Sequence, residues 1–241
     1  MKGKLMGIGV GPGDPELLTI KAIKKIQEAE VIIAPCSRLG EESVALNIVK
    51  DYIQEDTIIN KMVFPMVHCQ ETLEKAWQEN VSEISGRLDR GQDVVFLTIG
   101  DPMLYSTYIY LLKDLLKVGY EVETVPGIPS FCAVASSMNF PLAEGEEGLS
   151  IIPFRKNEVL LDNALKAGNN VVVLKPSHNP KALAEAMERY QLEDSFVMVS
   201  KCGQLDEEAT TDINILKEEK IPYLSTVIIK NKGKKGGKSV G

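Results

Sequence analysis

Short apolar runs alternate with amphipathic stretches along the first half of the chain. Continuous apolar runs within residues 4–20, 30–35 and 94–99 predict buried strands. Between them, apolar positions three or four residues apart predict helices. The longest such stretch runs from about residue 68 to 90, and we interpret its apolar stripe as core: Leu73, Trp77, Val81, Ile84 and Leu88. This alternation predicts an α/β fold.

From about residue 148 the pattern changes. Four strand-like runs, LSIIPF, VVVLKPS, SFVMVSKCG and YLSTVIIK, are separated by helical LLDNALKAG and NPKALAEAMERY and by the acidic stretch DEEATTDINILKEEK. We interpret this half as a second α/β domain, with a proline-rich hinge near residues 124–129. The predicted organisation is an N-terminal domain at 1–124, a C-terminal domain at 125–231 and a basic flexible tail at 232–241.

The first strand runs directly into a glycine-proline loop. Asp14 and Pro15 read as the N-cap and first residue of a helix from about 15 to 29. A dinucleotide fingerprint fails on spacing, because positions 12 and 14 hold proline and aspartate, and no G-K-[ST] of a P-loop follows. A tight βα turn without a ligand stays open as an alternative. Small residues would let a ligand approach the backbone, and they recur at every second position: Gly7, Gly9, Gly11 and Gly13.

The same order of strand, glycine-proline loop and helix occurs a second time, after the strand at 94–99. There Gly100, Asp101 and Pro102 precede another helical stretch that closes at Gly119, and we interpret Asp101 as a helix cap. The loop at residues 36–42 also follows a strand. Two corners at the carboxyl ends of one sheet predict a crevice, which is where α/β sheets bind ligands.

Composition and charge narrow the classes of function. The 241 residues are 44% hydrophobic and 25% charged, with no apolar run near the length of a membrane span and no h-region at the start, so we expect a cytoplasmic globular protein. The net charge is −7, and because residues 230–241 carry five lysines and no acid, residues 1–229 carry −12. An acidic body disfavours a nucleic-acid partner.

Chemistry-bearing residues are sparse. The four cysteines are scattered without metal-ligand spacing, and neither histidine, His68 or His178, has a partner suggesting a catalytic triad. No metal site is predicted. We therefore expect a site that works mainly by positioning its ligands.

Three segments in order, GVGPGDPELLTIKAIKKIQEAEVIIAP, FLTIGDPMLYSTY and VPGIPSFCAVASSMNFPL, resemble the tetrapyrrole methylase family, which moves methyl groups from S-adenosylmethionine onto corrinoid precursors. Further details, PCSRLGEESVALNIV and NFPLAEGEEGLSIIP, resemble the branch of the family that methylates C20 of precorrin-2 or cobalt-factor II in cobalamin biosynthesis. The second half matches more loosely, since VVVLKPS stands where the family strand usually ends in Met or Met-Lys. This departure from the family pattern concerns the contribution of Lys175 to the donor site.

The resemblance implies a class III fold, two α/β domains with a cleft between them that holds S-adenosylmethionine, and a homodimer acting on a small-molecule tetrapyrrole. No membrane and no nucleic acid are expected as partners. The cofactor-binding residues that it implies are Gly100, Asp101, Met103, Ser130, Phe131, Leu174, Lys175, Ala209 and Thr210.

A substrate with eight carboxylates calls for cationic and hydrogen-bonding side chains. The predicted substrate-binding residues are Gly11, Pro12, Ser37, Arg38 and His68, with Arg155 and Lys156 behind them, and the glycines of the first loop are interpreted as room for a large flat substrate. Tyr105 and Asp101 are the candidates for removing a proton.

Other functions stay open from the sequence. A uroporphyrinogen III methyltransferase, a diphthine synthase or a ribosomal-RNA methylase shares the GVGPGDP and GDP elements, and a noncatalytic ligand-binding regulatory domain would bind the donor without turnover.

Overall fold

The computed structural model describes residues 2–38, 40–64, 70–154, 158–218 and 220–231. The chain divides into two compact units after Pro129 rather than after the predicted residue 124. The physical reason lies in the strand that ends at Val125, because it pairs with the first strand of the chain and belongs to the first sheet.

The first unit holds a five-stranded sheet with strands β1 (Leu5–Gly9), β2 (Val31–Cys36), β3 (Ile58–Val63), β4 (Val94–Thr98) and β5 (Val122–Val125). Their order is β3-β2-β4-β1-β5, and every pairing is parallel. All five carboxyl ends therefore lie at one edge of the sheet, as the sequence predicted for its corners.

Helices cover both faces of this sheet: α1 (Ile20–Gln27), α2 (Val44–Val49), α3 (Gln70–Asp89) and α4 (Tyr108–Lys117). One buried cluster contains Ile26 and Ile48, and the other contains Ile84, Leu88 and Tyr108. The interpretation of the α3 stripe as core is confirmed for Ile84 and Leu88, and Trp77 and Val81 pack partly buried against the same cluster. The side chain of Leu73 lies outside the described residues.

The predicted helix at 15–29 is wrong in its first turn. Pro15–Leu17 forms a single 3₁₀ turn capped by Asp14, whose carboxylate accepts the Glu16 amide at 2.8 Å. Leu18 then adopts an extended conformation, and α1 starts afresh with Thr19 as its cap. The chain therefore makes a separate turn before the helix begins. Pro15, which the sequence analysis took as the first helical residue, belongs to that turn.

The second unit contains five strands: β6 (Leu149–Pro153), β7 (Asn170–Leu174), β8 (Phe196–Ser200), β9 (Glu208–Thr210) and β10 (Ser225–Ile229). The order is β6-β7-β10-β8-β9, and apart from the parallel pair of β6 and β7 the pairings are antiparallel. Its helices are α5 (Ser130–Ser137), α6 (Glu158–Lys166), α7 (Pro180–Arg189) and α8 (Asn214–Lys217). The acidic stretch thus contributes β9 and α8, beyond the four strands predicted.

The carboxylate of Glu123, in β5, forms two ion pairs away from the carboxyl ends of the strands. Glu123 accepts from the Lys21 ammonium at 2.6 Å and from the Lys4 ammonium at 2.7 Å. These hydrogen bonds, that from Lys21 first, lower the pKa of Glu123 to about 2. The charged form of Glu123 is therefore the form that the fold stabilises.

We expect Glu123→Gln to lower the free energy of unfolding at pH 7 by about 1–2 kcal/mol, an allowance that includes solvent screening. Since the folded-state pKa is depressed, this contribution is complete above about pH 4.5 and disappears as the pH falls towards 2. Denaturant unfolding across that range measures it. Glu121→Gln is the control, because Glu121 is mostly exposed and, among the residues that the structure describes, forms an ion pair with Lys4 alone. Equal losses in both variants would contradict the assignment.

Candidate functional site

The two glycine corners meet directly at the carboxyl edge of the first sheet. The Gly100 amide donates to the Gly11 carbonyl at 2.7 Å, and the Gly11 amide donates to the Gly100 carbonyl at 3.3 Å. The sequence predicted that both corners share an edge, and they do. The gap expected between them is closed by this pair of hydrogen bonds.

The glycines of these loops pack against the protein itself. A Cβ on Gly9 would lie 2.5 Å from the Gly127 nitrogen, and one on Gly127 would lie 2.2 Å from the Gly100 carbonyl oxygen. A Cβ on Gly7 would lie 2.1 Å from the ring of Tyr108. Three of the loop backbones thus touch one another, and the interpretation of the first-loop glycines as room for a substrate is wrong for Gly7 and Gly9.

Gly11 and Pro12, both predicted to bind the substrate, are buried in the structure. Gly11 has a φ of +74°, which a residue with a side chain rarely adopts. Turn geometry therefore accounts for this glycine, and substrate binding by the two residues stays a prediction.

Asp101 joins two of the loops. One carboxylate oxygen accepts the Met103 amide at 2.8 Å, and the other accepts the Gly127 amide at 3.1 Å. The interpretation of Asp101 as a helix cap is wrong, since α4 begins only at Tyr108. Instead the carboxylate fixes the loop after β4 and ties it to the loop after β5.

The loop that Asp101 holds exposes two large side chains to solvent. Met103 is 54% exposed and Tyr105 is 48% exposed. Tyr105 also has a φ of +51°, a left-handed conformation that costs free energy for a residue with a Cβ. Backbone strain of this kind is concentrated at functional positions in proteins, and the role of Tyr105 stays a prediction.

The loop after β2 carries Ser37 and Arg38. The Ser37 hydroxyl donates to Glu41, and the Arg38 guanidinium lies 4.0 Å from the same carboxylate. The Arg38 side chain is 84% exposed. Both residues follow the carboxyl end of their strand, as predicted. His68, Arg155 and Lys156 lie outside the described residues.

In the second unit, one row of residues crosses four strands. Thr226 of β10 lies opposite Leu174 of β7 on one side and Val199 of β8 on the other, and Val199 lies opposite Ala209 of β9. Residues directly opposite in antiparallel strands share a face, and three strand spacings span about 14 Å. Two predicted donor-binding residues, Leu174 and Ala209, thus lie in one row.

Ser130 reaches this row from α5, where its hydroxyl lies 3.0 Å from that of Thr226. Its neighbour Phe131 is buried. Thr210 follows Ala209, and its hydroxyl accepts the Asp212 amide at 3.0 Å. The structure therefore groups Ser130, Leu174 and Ala209 and shows a local packing or turn role for the other two residues.

Lys175 departs from regular backbone geometry directly after β7. Its φ is +58°, and its ammonium lies 5.9 Å from the centroid of the Tyr223 ring. The His178 ring packs edge-on against the same tyrosine, with centroids 6.1 Å apart. A cation above an aromatic face is a favourable contact. The described geometry thus gives Lys175 an internal partner.

Within the described ranges, no three potential metal ligands among His, Cys, Asp and Glu are grouped. In the described part of the chain, Cys36, Cys132 and Cys202 take part in no disulfide bond. Over the same part of the chain, every helix is too short or too polar to cross a bilayer.

Comparisons with known sequences give a consistent picture. Residues 4–214 match the family described as Tetrapyrrole (Corrin/Porphyrin) Methylases. A Methanocaldococcus jannaschii protein named a probable cobalt-precorrin-2 C(20)-methyltransferase is 33% identical over 94% of this chain and 96% of its own. The Salmonella typhimurium cobalt-precorrin-2 C(20)-methyltransferase is 30% identical over 95% of this chain and 97% of its own.

Solved structures agree on the fold. A cobalt precorrin-4 methyltransferase superposes with a TM-score of 0.74 at 23% identity, covering 94% of both chains. The uroporphyrin-III C-methyltransferase of Thermus thermophilus, complexed with S-adenosylhomocysteine, superposes with a TM-score of 0.66 at 22% identity, covering 94% of this chain and 97% of its own. The two-unit α/β architecture is thus that of tetrapyrrole methyltransferases.

Proposed function

The chain belongs to the tetrapyrrole (corrin/porphyrin) methylase family, and on that premise we propose that it transfers a methyl group from S-adenosylmethionine to C20 of precorrin-2 or its cobalt complex. The observation that carries the proposal is the similarity, over nearly the whole of both chains, to two cobalt-precorrin-2 C(20)-methyltransferases. Their names favour the cobalt complex as the better substrate.

The described residues fit such a methyl donor. In the second unit, half-buried Leu174 and exposed Ala209 offer apolar surface at the two ends of the row, and Ser130 adds a partly exposed hydroxyl. In the first unit, Asp101 holds a loop that exposes Met103. The flat faces of the purine suit apolar side chains such as Leu174 and Met103, and the polar atoms of the donor suit hydroxyl and amide groups, so both sets are proposed to contact it.

When bound, S-adenosylmethionine supplies a sulfonium methyl group whose carbon–sulfur bond breaks as the bond to C20 forms. The protein then has to orient two large ligands and exclude water, which is a positioning task. The proton on C20 leaves to a base or to water afterwards. Both Asp101 oxygens already accept amide hydrogens, so the half-exposed Tyr105 is better placed to pass that proton to solvent.

Arg38 is proposed to bind a substrate carboxylate. Its guanidinium is exposed and only loosely paired, so it can form a charge-assisted hydrogen bond at little cost. We expect Arg38→Ala to raise KM for the tetrapyrrole about tenfold and to leave kcat within about twofold, as for a lost binding interaction. Steady-state kinetics measure this, with Arg189→Ala as the control because Arg189 pairs with Asp162 in the second unit. An unchanged KM would contradict the assignment.

Turnover assays test the proposed function. The purified chain is incubated with methyl-labelled S-adenosylmethionine and, in parallel, with cobalt-precorrin-2, metal-free precorrin-2 and uroporphyrinogen III. Label transfer to a precorrin-2 species, fastest with the cobalt complex, is expected. Transfer to uroporphyrinogen III instead would favour that branch of the family, and donor binding without any transfer would favour a noncatalytic role.

A further inference from the structure

The Ser130 side chain, at the first residue of α5, forms a hydrogen bond outside its own helix. The Ser130 oxygen lies 3.0 Å from the Thr226 oxygen on β10, ninety-six residues further along the chain. Within the part of the chain that the structure describes, this is the one hydrogen bond of either side-chain hydroxyl. The pair therefore needs its own explanation.

The two hydroxyls have two protons and share one hydrogen bond, so one proton has to point elsewhere. Thr226 is only 4% exposed, and its in-register neighbours on the same face are Leu174 and Val199. Neither neighbouring side chain offers an acceptor. A Thr226 proton turned away from Ser130 would be buried without a partner, which costs free energy.

Ser130 is in the opposite situation, because it is partly exposed. If Thr226 donates to Ser130, the Ser130 oxygen accepts and its own proton is directed to the exposed side. Both hydroxyls are then satisfied once an acceptor, water or ligand, lies beside Ser130. The burial difference between the two residues thus fixes the direction of the shared hydrogen bond.

We infer that Thr226 is a positioning residue that holds the Ser130 hydroxyl as a hydrogen-bond donor towards an acceptor atom of S-adenosylmethionine. This rests on the proposed function, in which Ser130 contacts the methyl donor. Thr226 itself does not touch the ligand. Its effect is to fix one hydroxyl orientation before the ligand arrives, which lowers the entropic cost of binding.

Binding of S-adenosylhomocysteine, measured by calorimetry, tests the inference. We expect Thr226→Val to raise Kd about three- to tenfold, the loss of one oriented hydrogen bond. Valine keeps the shape of threonine and suits a buried strand, so the fold is retained, and thermal unfolding checks this. Thr226→Ser restores the hydroxyl and is expected to bind like the parent. Thr226→Ala serves as the second variant if valine perturbs the fold.

A double variant with Ser130 tests more specifically whether Thr226 acts through the Ser130 hydroxyl. Because Thr226 acts through Ser130, Thr226→Val in a Ser130→Ala background is expected to add no further loss. Ser200→Ala is the matched control, since it removes a 2.8 Å hydroxyl pair with Ser225 one register position away, on the other face of the sheet. Its Kd is expected to stay unchanged. With saturating donor, kcat of Thr226→Val is expected to equal that of the parent while KM for the donor rises.

Two outcomes would overturn the inference alone: an unchanged Kd in Thr226→Val, or an equal additional loss in the Ser130→Ala background. A parent protein that fails to bind S-adenosylhomocysteine at all would overturn the proposed function and this inference with it. The two failures are therefore distinguishable by the behaviour of the parent chain.

Discussion

Gly9→Ala is expected to destabilise the first unit by about 3 kcal/mol, at the upper end of the cost of overpacking. The new methyl carbon would lie 2.5 Å from the Gly127 nitrogen and 2.7 Å from the Gly100 carbonyl oxygen, and both of these are backbone atoms. A flexible side chain could swing away from such a contact. The backbone after β4 and β5, which both pair with β1, can move only if the sheet edge distorts.

Chemical denaturation of the parent and the variant measures this loss. Gly86→Ala is the control, because Gly86 lies within helix α3 and its added Cβ would meet only the end of the Arg90 side chain at 3.6 Å. That variant is expected to gain about 0.5–1 kcal/mol from helix propensity. If Gly9→Ala instead unfolds like the parent and loses only substrate binding, the glycine serves a ligand, and the packing account is wrong.

Asp101→Asn is expected to cost about 2–3 kcal/mol of stability, because one of two charge-assisted hydrogen bonds is replaced by an amide facing an amide. The variant keeps one acceptor oxygen, so it loses either the bond from the Met103 amide within the loop after β4 or the bond from the Gly127 amide in the loop after β5. Met103 and Tyr105 would then be presented less rigidly. We expect the Kd for S-adenosylhomocysteine to rise at least about tenfold, equivalent to about 1.4 kcal/mol.

Calorimetry and denaturation on the same samples separate the two effects. Asp212→Asn is the matched control, since Asp212 accepts a nearby amide, that of Asn214 at 2.9 Å, without joining distant loops. It is expected to change stability only slightly and the Kd not at all. An Asp101→Asn protein that binds S-adenosylhomocysteine as tightly as the parent would exclude this loop from the donor site.

Local patterns were sufficient to predict much of the first unit. Parallel strands buried on both faces read as continuous apolar runs, and residues 94–99 gave β4 almost to its boundaries. The position of both glycine corners followed from their place in the sequence, since each comes directly after an apolar strand. Asp14 was correctly identified as a cap, although Leu18 interrupts the helix that it was expected to start.

The features that the sequence did not predict depend on contacts between residues far apart in the chain. Strand β9 is only three residues long, and its first two residues, Glu208 and Ala209, are exposed. The sequence therefore shows no apolar run at this strand. The hydrogen bond from Gly127 to Asp101 and that between Ser130 and Thr226 join segments far apart in the chain. Neither pairing alters the local pattern at either partner, and Thr226 reads as an ordinary strand residue.

The position of the transferred methyl group tests the central claim most directly. The chain is incubated with S-adenosylmethionine carrying a ¹³C-methyl group and with cobalt-precorrin-2, and the product is examined by NMR. A single new methyl resonance on C20 is the predicted result. A methyl group on any other carbon, or no labelled product from either cobalt-precorrin-2 or precorrin-2, would contradict it.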